Sequence, residues 1–333
     1  MQAMVLHRPA DVGSSPLTLE EVPVPVPGPN EVLVRVSVCG ICRTDLHVIE
    51  AELPPRKSPV IPGHQIVGLV EAVGTDAKSL RPGDRVGIAW LRSTCGACDF
   101  CRTGRENICP SARFTGYHED GGFATAAIVP ESFAYPIPSI FADEEAAPLL
   151  CAGIIGFRAL RLSGIRPGQR LGFYGFGAAA HLAIQVARHW GCEVYVCSLR
   201  AEHQAMALEM GARWAGDAAA MPPQKLHASV IFAPAGELVP PALRALEQGG
   251  TLALAGIHMS PIPSLNYDAE VFGERVIRSV TANTKQDGVD FLRVAAEIPI
   301  RPRTTSFRLD EANRALQSLK AGTINGSGVL VMK

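Results

Sequence analysis

Apolar and polar side chains alternate twice near the start of the chain, in Leu17-Thr18-Leu19-Glu20-Glu21-Val22 and in Glu31-Val32-Leu33-Val34-Arg35-Val36-Ser37-Val38. A period of two puts every second residue on one face of a strand. Pro23, Pro25, Pro27 and Pro29 separate the two runs. Residues without an N–H cannot join a central ladder, so this segment predicts a turn or an edge. Further strands are predicted over 68–74 and 84–90, the second introduced by the turn Arg81-Pro82-Gly83. Short strands with turn signals indicate a mostly β first domain.

Near residue 150 the pattern changes. The apolar stretch 146–157 contains Pro148, Gly153 and Gly156, and from Ala152 the chain reads as helical. A short strand over 170–174 runs straight into Gly175-Phe176-Gly177-Ala178-Ala179-Ala180. Leu182, Ala183, Val186 and Trp190 then mark one helix face, which stops at Gly191, and 193–197 reads as the next strand. Strands over 229–233, 251–257 and 276–282 interleave with helices over 239–247 and around 291–295. Such alternation predicts an α/β domain with a doubly wound parallel sheet. The tail 309–322 reads as a helix with Asp310 as N-cap, Lys320 in the last turn and Gly322 as its stop. Between a strand and a helix, the G-x-G-x-x-A of Gly175, Gly177 and Ala180 has the context of a dinucleotide-binding fingerprint. The glycines allow a tight turn and close approach of a pyrophosphate, and the free N–H groups of the helix supply an anion site.

Composition narrows the class. A chain of 333 residues exceeds one ordinary core, so two domains are expected. The apolar fraction is 47% and the charged fraction 19%, with 31 basic against 32 acidic residues. Without a basic or acidic block, nothing points to nucleic acid or a membrane surface. The first residues lack the apolar region of a signal peptide, and the 146–157 stretch is too short to span a bilayer. A cytoplasmic location is expected.

Four of the nine cysteines fall within 15 residues, as Cys95-x2-Cys98-x2-Cys101-x7-Cys109. Thiols this close are poor disulfide partners and good tetrahedral ligands, so a closed, structural zinc site is predicted. Iron shares the preference for four thiolates. A second concentration of chemistry runs from Cys39 through Cys42, Thr44, Asp45 and His47 to Gly63-His64-Gln65. Thiolate and neutral imidazole are two of the ligands zinc prefers. Cys151, in Leu150-Cys151-Ala152-Gly153, is a third candidate far along the chain.

The order Cys, Asp, His, Gly-His and distant Cys-Ala-Gly resembles the zinc-dependent medium-chain alcohol dehydrogenases, and the resemblance covers almost the whole chain. It implies a GroES-like, mostly β catalytic domain over 1–150 and 284–333, with a zinc-binding lobe over 92–110. A Rossmann coenzyme domain would occupy 151–283. The motif's register makes Cys42, not Cys39, the first ligand of a catalytic zinc, with His64 and Cys151 completing the set. Together with the four-cysteine lobe, two zinc ions per chain are expected. Thr44 and His47 resemble the family's proton relay, in which the hydroxyl hands the proton through the nicotinamide ribose to the imidazole. Asp45 resembles the carboxylate that orients a zinc-bound His. Trp90 and Leu91 match pocket-lining positions. The implied substrate is a small alcohol, or the aldehyde or ketone made from it, and the implied assembly is a homodimer or homotetramer.

Three positions depart from the family pattern. The usual Gly-His-Glu reads Gly-His64-Gln65, which takes a negative charge away from the metal's surroundings and bears on the direction of reaction. An Arg often found near the carboxy terminus reads Ser327, which leaves Arg43 as the expected clamp on the cofactor's pyrophosphate. At the end of the second Rossmann strand the ribose-binding acid is replaced by Ser198, followed by Arg200. A hydroxyl and a cation suit a 2′-phosphate, so NADP is favoured over NAD. Two other readings stay open on the residues alone. One is a related reductase acting on an activated C=C bond, and the other is a non-catalytic, thiol-rich nucleotide-binding redox sensor.

Overall fold

A computed structural model describes residues 1–217 and 220–332. It divides into two compact units. The first comprises residues 1–151, 283–296 and 301–333, and the second comprises 152–282 and 297–300.

The first unit is built on the strand Glu31–Ile41, which pairs antiparallel with Gln65–Val73, Ala126–Pro130 and Ser327–Val331. The seven-stranded sheet also holds Arg85–Ile88, Ala134–Pro136 and Thr304–Arg308. The alternation read over 31–38 is kept: Val32, Val34, Val36 and Val38 are buried on one face, while Arg35 on the other is exposed and Glu31 and Ser37 are half-buried. Leu33 is the exception, buried on the polar side. Each fully buried Val or Leu contributes about 1.5–3 kcal/mol relative to exposure. The proline segment between the first two predicted strands forms no strand, and Val24 and Val26 lie exposed in it. Leu17–Glu21 pairs with Gln2–Leu6, a strand whose near-continuous apolar run carries no period of two. The four-cysteine lobe hangs from a small ribbon, Leu91–Ser93 paired with Arg113–Phe114.

The second unit carries a six-stranded, all-parallel sheet. Its spatial order is Trp214–Gly216, Glu193–Cys197, Arg170–Tyr174, Leu226–Ile231, Leu246–Leu254, Val276–Ser279. The order reverses at Arg170–Tyr174, so the glycine turn that follows this strand lies at the topological switch point, where doubly wound sheets bind ligands. The sheet therefore has the predicted class, with the fingerprint at its functional edge.

Several boundaries differ from expectation. Helix begins at Asp143, not Ala152, and runs through Pro148 by way of a π-helical turn, Leu149–Gly153, into Ile154–Ser163. The wider turn re-registers the hydrogen-bond ladder just after the proline, a feature that recurs at functional sites. The whole run Asp143–Ser163 is long and apolar enough to cross a membrane, but 72% of its most apolar window is buried inside the protein. It is a core helix. The strand read as 251–257 begins at Leu246, so the preceding helix stops at Ala245. Asp310 is not an N-cap: it lies inside a 3-10 turn, Leu309–Glu311, and the helix proper is Ala312–Ala321. The N-cap of that turn is Arg308, whose N–H donates to the Glu311 carboxylate at 2.8 Å. Gly322 does end the helix, in the left-handed conformation.

Candidate active site

Cys42 is the N-cap of the helix Arg43–Ile49, which follows directly on the central strand Glu31–Ile41. The cap is reciprocal. The Thr44 N–H donates to Cys42 Sγ at 3.3 Å, and the Cys42 N–H donates to Asp45 Oδ2 at 2.8 Å. Asp45 has a second task, because its other oxygen accepts from His64 Nδ1–H at 3.1 Å. One buried carboxylate thus ties the two candidate ligands together and leaves the lone pair of His64 on Nε2.

His64 sits on the turn before Gln65–Val73. Gly63 ahead of it has φ +96°, and a Cβ there would press to 2.4 Å from the Phe123 ring. Only glycine lets the chain turn His64 inward at this point. The third donor, Cys151, is carried on the π-helical turn Leu149–Gly153. His64 Nε2 lies 3.3 Å from each sulfur, and the two sulfurs are 4.0 Å apart. A tetrahedral zinc with Zn–S bonds near 2.3 Å separates its sulfurs by about 3.8 Å. A disulfide would bring them to about 2 Å.

The protonation of the trio points the same way. Cys42 is drawn well below an ordinary thiol by the hydrogen bond from Cys151 and by His64, while that same bond and burial push Cys151 well up. Burial opposes a charge on His64, but Cys42 and Asp45 outweigh it and hold the imidazole up at about 10. These opposed shifts come from three donor groups facing one another out of solvent. The donors fit zinc, and three of them leave one position open.

Around this trio the structure places the other predicted residues unevenly. Thr44 and His47 are both buried on the Arg43–Ile49 helix, three residues apart and so on one face. Arg43, at the start of the helix, is exposed. Trp90 meets the His64 ring edge-on at 4.9 Å and is stacked between Phe114 and Tyr117, at 5.0 and 5.8 Å. Phe114 comes from the strand paired with Leu91–Ser93 and Tyr117 from the turn after it, and neither carried a signal in the sequence. Gln65 is buried against Gly40, and its amide nitrogen has no hydrogen-bond partner among the described residues.

Cys95, Cys98, Cys101 and Cys109 form the second donor set. Cys95 lies 3.9 Å from Cys101 and 3.5 Å from Cys109, and Cys98 lies 3.6 Å from Cys101. The backbone amides of Ala97 and Cys98 hold the Cys95 thiol down to about 6, so a thiolate is at hand. Four sulfurs at tetrahedral spacing fit a closed zinc site.

Residues 28–139 match the alcohol dehydrogenase GroES-like domain family, and residues 178–297 match the zinc-binding dehydrogenase family. Over its full length the chain is 49% identical to a probable alcohol dehydrogenase, AdhA, of Mycobacterium tuberculosis, covering 97% of that protein. The chain belongs to the zinc-dependent medium-chain alcohol dehydrogenases. Among solved structures it is similar to cinnamyl alcohol dehydrogenase of Sorghum bicolor, with TM-score 0.90 and 28% identity over 99% of this chain and 97% of that one. It is also similar to a thermostable alcohol dehydrogenase of Pyrobaculum aerophilum with cobalt and zinc bound. There the TM-score is 0.89 and the identity 25%, over 100% and 99% of the two chains.

In this alcohol dehydrogenase the glycine turn of the second unit has the shape of a phosphate cradle. Gly175 has φ +90° and lies against Ala233, so it serves the turn. A Cβ at Gly177 would meet nothing of the protein within 4 Å, so the open space there fits a close-lying ligand. Gly177 caps the helix Ala178–His189 without a side-chain hydrogen bond, and the first turn holds no acidic residue. Its N–H groups and dipole fit an anion. Ala180 is buried. Ser198 follows the strand Glu193–Cys197 directly and is buried, whereas Arg200 is exposed at the N-cap of Ala201–Glu209. Cys197 pairs with Gly216, and Asp217 is the residue that follows this last pair. That carboxylate was not found from the sequence, since only the sheet pairing brings its strand beside Glu193–Cys197.

Proposed function

We propose that this alcohol dehydrogenase interconverts a primary or secondary alcohol and its aldehyde or ketone, with NADP as hydride partner and two zinc ions per chain. The observation that carries the reading is the convergence of Cys42, His64 and Cys151 in front of Asp45, beside Trp90. A zinc ion held there supplies Lewis acidity, which acidifies an alcohol and polarises a carbonyl.

The protein's own groups do the rest. Cys42 and Cys151, as thiolates, would neutralise a zinc ion held there, and Asp45, bonded to Nδ1 of His64, leaves Nε2 to serve as its ligand. The Thr44 hydroxyl takes the alcohol's proton and His47 receives it as the base. Trp90 and Leu91 exclude water and shape the pocket. Gly175, Gly177 and Ala180 receive the pyrophosphate, with Arg43 as an added cation, while Ser198 and Arg200 take the 2′-phosphate. An activated C=C reductase needs no such ligand trio, and a redox sensor needs no relay.

Protein purified without chelator should contain close to two zinc per chain and oxidise alcohols across a substrate panel, faster with NADP than with NAD. One tightly held zinc in fully active enzyme would overturn the assignment of Cys42, His64 and Cys151. For the cofactor, Arg200→Ala should raise the KM for NADPH by about tenfold, about 1.4 kcal/mol, and leave that for NADH nearly unchanged. Equal changes would free Arg200 from the discrimination and leave Asp217 to decide it.

We further infer a homo-oligomer, a dimer or tetramer. The strand Val276–Ser279 ends the parallel sheet with all four residues exposed, Val276 and Ile277 among them. An open edge of this kind invites pairing with another copy. Light scattering on the purified enzyme decides, and a monomer at working concentration would refute it. All nine cysteines are free, which suits a reducing cytoplasm.

A further inference from the structure

The turn after the Arg43–Ile49 helix is shaped around His47. Glu50 closes the helix with its N–H on the Leu46 carbonyl. Ala51 then adopts φ 60°, a left-handed conformation that costs a non-glycine residue about 1 kcal/mol. The Leu53 N–H returns to the His47 carbonyl at 3.0 Å. The reversal carries Glu52 back over its own helix and sets its carboxylate on His47 Nδ1. The imidazole is almost covered, its side chain 10% exposed, while the Glu52 side chain is 46% exposed.

We propose that Glu52 is a positioning residue for His47. Its carboxylate accepts the Nδ1–H, fixes the plane of the ring and leaves the lone pair on Nε2. A neutral imidazole in water prefers the opposite tautomer, with its proton on Nε2, and that form would aim its lone pair back at Glu52. A base that works through Nε2 needs the tautomer the turn imposes. The helix repeats the device at both ends. Asp45 at its start sets the tautomer of His64, and Glu52 beyond its end sets that of His47. No proton is transferred to Glu52 in this role. The proposal rests on His47 being the proton acceptor of the reaction.

The test uses the full-length, zinc-loaded enzyme without nicotinamide cofactor, labelled with ¹⁵N-histidine, and with His47 assigned by comparison with His47→Gln. The spectrum should show His47 with its proton on Nδ1, and Glu52→Ala should move it toward the Nε2–H form. In the same variant kcat for alcohol oxidation should fall by about tenfold while KM for the alcohol changes by less than about twofold. Glu52→Asp should recover part of both. An Nε2–H tautomer in the unmodified enzyme, or an unchanged His47 spectrum in Glu52→Ala, overturns the proposal. Undiminished alcohol oxidation in His47→Gln removes the relay, and with it the catalytic meaning of Glu52, while the tautomer spectra judge the Glu52–His47 pairing separately.

Discussion

Cys42, His64 and Cys151 come from a helix cap, a glycine turn and a π-helical turn, separated by 22 and 87 residues. Cys95, Cys98, Cys101 and Cys109 come from a single loop on a two-stranded ribbon. The ligand chemistry is shared, but the first set has three donors, a buried His64 between two half-buried cysteines, and the second has four, one of them exposed. An open position needs surroundings that hold three ligands still without help from a fourth. Here the sheet, the capping box and Asp45 do so. A closed site can organise its own loop, because metal binding and folding of such a lobe are one event.

That contrast is broken most directly by exchanging one thiol in each set. Cys42→Ser should lower kcat/KM for alcohol oxidation by about 10⁴-fold or more, about 5 kcal/mol of barrier. The melting temperature should stay within a few degrees, since serine preserves the N-cap. Cys98→Ser should do the reverse. The lobe's metal is lost, stability falls by several kcal/mol, and activity declines only as the protein unfolds. The Lys285 N–H donates to Glu106 of the lobe at 2.7 Å, so hydrogen exchange should also quicken at the start of the helix Lys285–Glu297. Equal losses of stability in the two variants would erase the distinction between the sites.

A smaller change sharpens it. Asp45→Asn keeps the shape but removes the charge behind His64 and weakens the cap on the Cys42 N–H. Affinity at the open site should drop about 10–100-fold, measured by chelator competition, with the lobe's metal unaffected. Loss of both metals together would mean that Asp45 supports the fold and not one ligand set.

The two sites were also unequally legible. Four thiols in one loop announce themselves by spacing alone, because the ligands are local. The open site is assembled over more than a hundred residues, and residue types alone left Cys39 and Cys42 equivalent. The structure separates them: Cys39 is packed in the core with its sulfur near Gly63 and Gly122, while Cys42 faces His64 and Cys151. The parallel sheet was readable from its alternating strands and helices. The helical passage through Pro148 was not, because proline and glycine read as breakers and the π-helical turn that absorbs them has no sequence signature. Phe114, Tyr117, Asp217 and Glu52 were missed for a common reason. Each reaches its place through a turn or a register that exists only after folding.

Gln65 tests the finest difference between the sites, the charge near the open one. Its amide is buried in the residue next to His64, with the nitrogen unpaired among the described residues. A glutamate there would add a negative charge beside Cys42 and Cys151, whose thiolates would already neutralise a zinc held between them. Alcohol deprotonation would then be disfavoured and a carbonyl less polarised. Gln65→Glu should therefore move the acid limb of the alcohol-oxidation profile to higher pH, by about one unit, and lower kcat/KM for aldehyde reduction by about tenfold. Metal content should be unchanged, because Gln65 donates nothing to the ligand set. Gln65→Met supplies the control for packing. It removes a buried amide whose nitrogen makes no hydrogen bond, so stability should change by less than about 1 kcal/mol, and the pH profile should not move. Superimposable profiles for Gln65→Glu and the unmodified enzyme would reduce Gln65 to a packing residue over Gly40.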